Sequence, residues 1–167
     1  MEEKTGKTCC FIGHRKIEGE NELKDKLYHI VEELIVREHV HTFLFGSKSE
    51  FDTLCLKVVT NLKDKYPHIK RIFVRAEFQY INDDYKEYLL QYYEDSFYPE
   101  KIAGSGRAAY VERNKIMIDS SDICVMYYKE NYTPQNRKAS SRTLGKSGTK
   151  IAYEYAQKKE KTIIQTA

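Results

Sequence analysis

The sequence predicts an α/β protein with a Rossmann-like, three-layer fold: a mainly parallel sheet of about five strands with helices on both faces. Three observations lead there. Short apolar runs of strand length alternate with longer segments of helical period, glycine-bearing turns follow several of the runs, and 167 residues suffice for one domain with a substantial core. Alternation of this kind builds βαβ units. Their right-handed crossovers place helices on both faces and leave ligands to the crevice beyond the strands' carboxyl ends.

The first strand is Lys7 to Ile12, and a helix follows over Glu20 to Glu38. There Leu23, Leu27, Ile30, Val31, Leu34 and Ile35 recur at helical spacing and form one apolar stripe. His41 to Phe45 is the second strand, followed by a helix over Glu50 to Lys65. Arg71 to Arg75 is the third strand, with helices over Asp83 to Glu94 and Ala108 to Ser120 after it. Ile123 to Tyr127 is the fourth strand, Thr149 to Lys159 the last helix and Thr162 to Gln165 the last strand. The remaining long segment, Lys129 to Lys146, is polar, basic and rich in Ser, Asn and Thr. A loop of this length in a compact domain usually serves a purpose, so it is expected to be a lid or a ligand-facing loop.

Composition narrows the function. The 28 Lys plus Arg against 25 Asp plus Glu leave a net charge of +3, far from the one-sided balance of a general nucleic-acid or membrane-surface binder. On that ground a membrane is set aside as a partner, and nucleic acid is set aside to last place among the candidates. No run approaches the roughly 18 apolar residues of a membrane span, and Met1 to Lys7 lacks the order of a signal peptide, so a cytoplasmic protein is expected. Cys9, Cys10, Cys55 and Cys124 lie in apolar runs without zinc or redox spacing and are expected to be buried thiols. No cofactor or metal motif is present in the sequence.

Four constellations carry candidate chemistry. Gly13, His14 and Arg15 follow the first strand: the glycine for a sharp turn near a ligand, the histidine as a titratable donor, the arginine as a planar fork for phosphate or carboxylate. The plainer alternative is a turn glycine and a surface ion pair. Gly46, Ser47 and Ser49 close the second strand, with Asp52 one turn into the next helix. The hydroxyls suit either a helix cap or a ligand, and Asp52 either a ribose hydroxyl or helix electrostatics. Arg107 ends a Gly104-Ser-Gly stretch, and Tyr110, Arg113, Asn114 and Met117 share a helix face beyond it. Last, Gly145, Lys146, Ser147, Gly148 and Thr149 form a turn into the final helix, whose unpaired N–H groups and dipole make a cradle for phosphate.

In this order, Cys10-Phe-Ile-Gly-His-Arg15, Gly46 to Asp52, Arg113 to Asp122 and Ser147 to Ala156 resemble the SLOG superfamily, in its YpsA-like branch, over nearly the whole chain. The resemblance implies a single Rossmann-like domain spanning 1–167 that binds nucleotides or nucleotide-derived ligands. Its relatives include LOG-type phosphoribohydrolases, DprA-like DNA-binding proteins and ligand-sensing domains of bacterial immune effectors. The hydrolases resemble one another in Arg-Lys-x-x-Met followed by Pro-Gly-Gly-x-Gly-Thr-x-x-Glu. Arg113, Met117, Gly145, Gly148 and Thr149 match that pattern, while Leu144, Lys146 and Ala152 replace its proline, second glycine and glutamate. Ala152 cannot serve as the carboxylate of N-glycosidic cleavage, and Glu154 lies about 200° further round the helix.

Three functions therefore stand in order. The first is capture, by sensing or sequestration, of a nucleotide or NAD-derived small molecule. A hydrolase or transferase acting on a nucleotide's glycosidic or phosphate bond is second, with Asp52, Glu112, Asp119 or Glu154 as its acids, and a nucleic-acid binder is third. In the capture reading the Gly145 to Thr149 turn holds a phosphate, Arg15 and Arg113 add positive charge, and Ser47, Asp52 and Asn114 meet sugar or base. The aromatic segment Asp84 to Tyr98, with Tyr85, Tyr88, Tyr92, Tyr93, Phe97 and Tyr98, suits either a homodimer or larger interface or a cover for the sheet or pocket wall.

Overall fold

The structure is a computed structural model that describes residues 6–132 and 147–167. Along the chain run β1 (Lys7–Gly13), α1 (Glu20–Val36), β2 (Val40–Phe45), α2 (Glu50–Lys65), β3 (Lys70–Val74) and α3 (Asp83–Leu90). They are followed by β4 (Asp95–Phe97), α4 (Arg107–Asp119), β5 (Ile123–Tyr127), α5 (Gly148–Lys158) and β6 (Thr162–Gln165).

The strands form one sheet in the order β4-β3-β2-β1-β5-β6, and all neighbours are parallel. From β1 the chain builds outward to β4, then returns to lay β5 on the other side of β1. That reversal is a topological switch point, where the loops after β1 and β5 part to opposite faces and open a crevice. Register across it pairs Ile12 with Met126 and Gly13 with Tyr127.

Strand alternation divides the core in two. Cys9, Phe11, Phe43, Phe45 and Val125 face α1 and α2, meeting Leu27, Val31, Leu54 and Val58. Phe11 stacks on Phe43 and Phe45 with centroids 5.8 and 5.1 Å apart. Cys10, Ile12, Leu44, Val74 and Met126 face the opposite way, onto Met117, Ile118, Ala152 and Ala156 of α4 and α5. All four cysteines are buried free thiols. Among the described residues no helix is long and apolar enough to cross a membrane.

The sheet has one strand more than the sequence reading gives, and α3 is correspondingly shorter. β4 is a three-residue Asp-Ser-Phe segment with a single apolar side chain, too little for a periodicity signal. Tertiary contacts create it. The Arg71 guanidinium grips the Glu94 carboxylate at 2.6 and 3.1 Å while Glu94 N–H donates to Arg71 O at 2.8 Å, drawing the chain out of α3 and alongside β3. The aromatic segment is correspondingly divided. Tyr93 packs on Phe45 and Phe73, Tyr98 covers a small cluster at Ile102 and Ala109, and Tyr88, Tyr92 and Phe97 remain exposed.

Candidate ligand-binding cleft

At the carboxyl ends of β1, β2 and β3, beside the switch point, lies a cleft of about 740 Å³. Gly13, His14, Arg15, Gly46, Ser47, Asp52, Arg107, Arg113, Asn114, Ser147, Gly148 and Thr149 all line it. Gly145 and Lys146 lie outside the described residues. Ser49 and Asp52 at the start of α2, Arg107 at the start of α4 and Gly148 and Thr149 at the start of α5 are on its wall.

At the first turn, Gly13 has a different task from the one its sequence context suggests. A Cβ at Gly13 would lie 2.3 Å from the Phe51 ring, so the missing side chain makes room for a fully buried phenylalanine rather than for a ligand. His14 is 1% exposed. Its Nε2 meets the Lys129 backbone, 2.8 Å from the N–H and 3.2 Å from the carbonyl oxygen, accepting from the first in one tautomer and donating to the second in the other, while Nδ1 is buried without a partner. Burial pushes the imidazole down to about 4, so His14 is neutral at pH 7. Tyr132 stacks on it, centroids 3.9 Å apart, and Arg15 is exposed beyond.

The second turn is organised by Asp52, 3% exposed. Its Oδ2 accepts from Ser47 N–H at 2.9 Å and Gly46 N–H at 3.3 Å, while its own N–H donates to the capping Ser49 Oγ at 3.0 Å. Ser47 Oγ donates to Ser49 Oγ at 3.1 Å. One carboxylate oxygen therefore holds the turn and the other, Oδ1, is buried without a partner. Burial raises the Asp52 carboxyl to about 6, opposed by these N–H groups and by the Arg113 charge.

Arg113 comes from α4, 6% exposed, its guanidinium donating to Asn114 Oδ1 at 3.2 and 3.3 Å and lying 5.3 Å over the Tyr110 ring. Gly46 allows this approach. A Cβ there would stand 2.6 Å from Met117 Sδ and 2.8 Å from Arg113 Nε. At α5, Ser147 caps Lys150 N–H at 3.1 Å, and the N–H groups of Gly148 and Thr149 at the helix tip have no intrahelical acceptor. Neither α4 nor α5 carries an acidic residue in its first turn to offset its dipole.

Lys48, Arg75, Phe78 and Tyr132 also line the cleft, and sequence reasoning missed them, while Tyr85, named there as an interface or pocket-wall residue, lines it too. Arg75 was within reach. It closes the third strand of the sequence reading, and the rule that ligands gather at carboxyl ends applied there as it did after the first two. The acids considered for catalysis behave differently from expectation. Glu112 accepts from Ala103 and Gly104 N–H groups, Asp119 accepts from Tyr155 Oη, and neither lines the cleft. Its carboxylates, among the described residues, are Asp52 and Glu77. Ala152 is 1% exposed in the core between α5 and the sheet.

Asp52 and His14 give the fold a testable pH signature. Asp52 titrates higher folded than in its ordinary state, so its contribution is complete below about pH 3.8 and is lost as pH rises through 6. His14 titrates lower, so its contribution is complete above pH 6.5 and is lost as pH falls through 4. The slopes oppose one another over the shared window. Asp52→Asn removes only the first, and its stability relative to the parent is expected to rise by on the order of 1–2 kcal/mol from pH 4.5 to 6.5 in urea melts. Parallel curves would show that Asp52 carries no burial penalty.

Fold and cleft together define a doubly wound α/β protein with an anion-favouring crevice at its switch point. Comparison with known proteins makes this specific. The YpsA family model, described as "YspA SLOG family", matches residues 13–163, and the chain belongs to that family. It is 31% identical to the uncharacterized SPbeta prophage-derived protein YoqJ of Bacillus subtilis (strain 168), over 81% of each chain. A solved structure of DNA processing protein A from Helicobacter pylori, described for its single-stranded DNA binding mode, superposes with a TM-score of 0.62 at 16% identity. The superposition covers 96% of this chain and 65% of that one, so this chain spans less than two thirds of that protein.

The last comparison corrects one expectation. Nucleic acid was set aside to last place among the candidates on the strength of a net charge of +3, yet a protein of this fold binds single-stranded DNA. Net charge was the wrong quantity, because a strand meets the local field of a cleft and not the average over the surface.

Proposed function

We propose that the protein captures a nucleotide-bearing anionic ligand in this cleft. The observation that carries the reading is the convergence of two helix tips, α4 and α5, neither with an acid in its first turn, on a wall lined by Arg15, Arg107 and Arg113. Phosphate oxygens would accept from the Gly148 and Thr149 N–H groups, with the guanidinium groups completing the charge balance. His14 Nδ1 and Asp52 Oδ1, two polar atoms buried without a partner in residues of the same wall, would meet polar groups of the sugar or base. Capture is favoured over glycosidic cleavage because Ala152 occupies the position of the hydrolases' glutamate. A segment of single-stranded nucleic acid is the second reading, favoured by DNA processing protein A, whose fold this chain shares.

Gly148 provides the test. A Cβ there meets nothing within 4 Å, so Gly148→Ala should leave the melting temperature unchanged or slightly raised. The methyl group would stand between the helix tip and a phosphate. A fivefold or greater loss of AMP affinity by calorimetry is expected, and unchanged affinity would remove the α5 tip from the site.

A further inference from the structure

Deepening the nucleotide-capture reading, on which it rests, we infer that the cleft takes a ligand of two linked nucleotide units: one phosphate at the tip of α5, and a second nucleotide held by Arg75 with its base stacked on Phe78 and Tyr85. The span of the anion-binding groups is the first ground. The α5 tip follows β5, Arg15 follows β1, Lys48 follows β2 and Arg75 follows β3, all on the cleft wall. In the sheet order β3-β2-β1-β5 these strand ends are separated by three steps. At about 4.8 Å per step, the two outer ends stand about 14 Å apart. A mononucleotide, with one sugar between its phosphate and its base, leaves one end of such a row unfilled.

The second ground is the wall at the β3 end. Arg75 donates from Nη1 to Ser96 Oγ at 3.2 Å and from Nη2 to Gln79 O at 3.4 Å, while its Nε is buried without a partner. Phe78 has φ 59° and is 62% exposed, and its ring meets Tyr85 edge to face at 6.0 Å. A left-handed phenylalanine is a strained backbone state with no burial to offset it. What it gains is a ring held at the mouth of the cleft. Around Tyr85, α3 exposes three acids, Asp83, Asp84 and Glu87, against one cation, Lys86. These carboxylates repel a third phosphate and limit the ligand to two units.

A free dinucleotide and the 5′ end of a single strand both present this chemistry. The test titrates the protein with AMP, with the 5′-phosphorylated dinucleotide pApA and with a longer 5′-phosphorylated oligoadenylate. The dinucleotide is expected to bind at least tenfold tighter than AMP, and the longer strand to match the dinucleotide. Phe78→Gly relieves the left-handed strain and so retains the fold; it should cut the preference for pApA over AMP by about tenfold, the scale of one base–aromatic stack. Equal affinity for AMP and pApA, or a preference untouched by Phe78→Gly, overturns the two-unit ligand and leaves nucleotide capture standing. A longer strand that binds much tighter than pApA overturns the limit at two. Binding of none of the three overturns nucleotide capture itself.

Discussion

Arg113→Ala is expected to weaken nucleotide binding at least tenfold without unfolding the domain, read as the AMP dissociation constant by calorimetry beside a thermal melt. The guanidinium is almost wholly buried, and the polar contacts described for it are the Asn114 carbonyl and the face of Tyr110. Its charge is already desolvated and positioned before any ligand arrives, so a phosphate or carboxylate pairs with it at small ordering cost. Hydrogen bonds to charged groups contribute about 1.5–3 kcal/mol, which corresponds to roughly ten- to a hundredfold in affinity. The same deletion strips Asp52 of the neighbouring positive charge that favours its ionised form. Binding in the variant should therefore also lose more as pH falls toward 6. An unchanged dissociation constant would take Arg113 out of the site, whatever the melt shows.

Gly13→Ala is expected to carry the largest stability cost, about 2–3 kcal/mol, seen as a fall in melting temperature of roughly 5–10 °C. The new methyl group would sit 2.3 to 2.8 Å from three atoms of Phe51, which is fully buried and stacked on Tyr127 with centroids 5.7 Å apart. Gly13 is itself hydrogen-bonded into β1 beside β5, so neither backbone can yield easily. A variant as stable as the parent would show that the ring can move aside. It would also return Gly13 to the ligand-approach role that its sequence context suggests.

Those two residues illustrate what the sequence could and could not convey. The doubly wound fold was legible because β1, β2, β5 and the helical stripes of α1 and α2 carry strong periodic signals. Once the strands alternate with helices, the crossover rule sends every strand's carboxyl end to one edge, so residues as distant in sequence as His14 and Thr149 share a cleft. Roles were less legible than positions. Gly13 looks like a ligand-facing glycine until Phe51, which arrives from α2, is seen in the space. Asp52 looks like a free acceptor, yet one of its oxygens is committed to the Gly46 and Ser47 amides. β4 was invisible because the Arg71–Glu94 pair that creates it joins β3 to a residue between α3 and β4, far along the chain. Phe78 was missed because it lies between elements, where a lone aromatic carries no periodicity and its left-handed backbone leaves no trace in composition.

The account rests on an anion seated at the tips of α4 and α5 beside the β1 turn. Amide chemical shifts followed by NMR during titration with AMP test this most directly. The resonances of Gly148, Thr149, Arg107 and Arg15 should move together and saturate, while those of Val36 to Glu38, near the opposite edge of the sheet, stay still. Shifts confined to that opposite edge, or no saturable shift at the helix tips at millimolar AMP, would contradict the account.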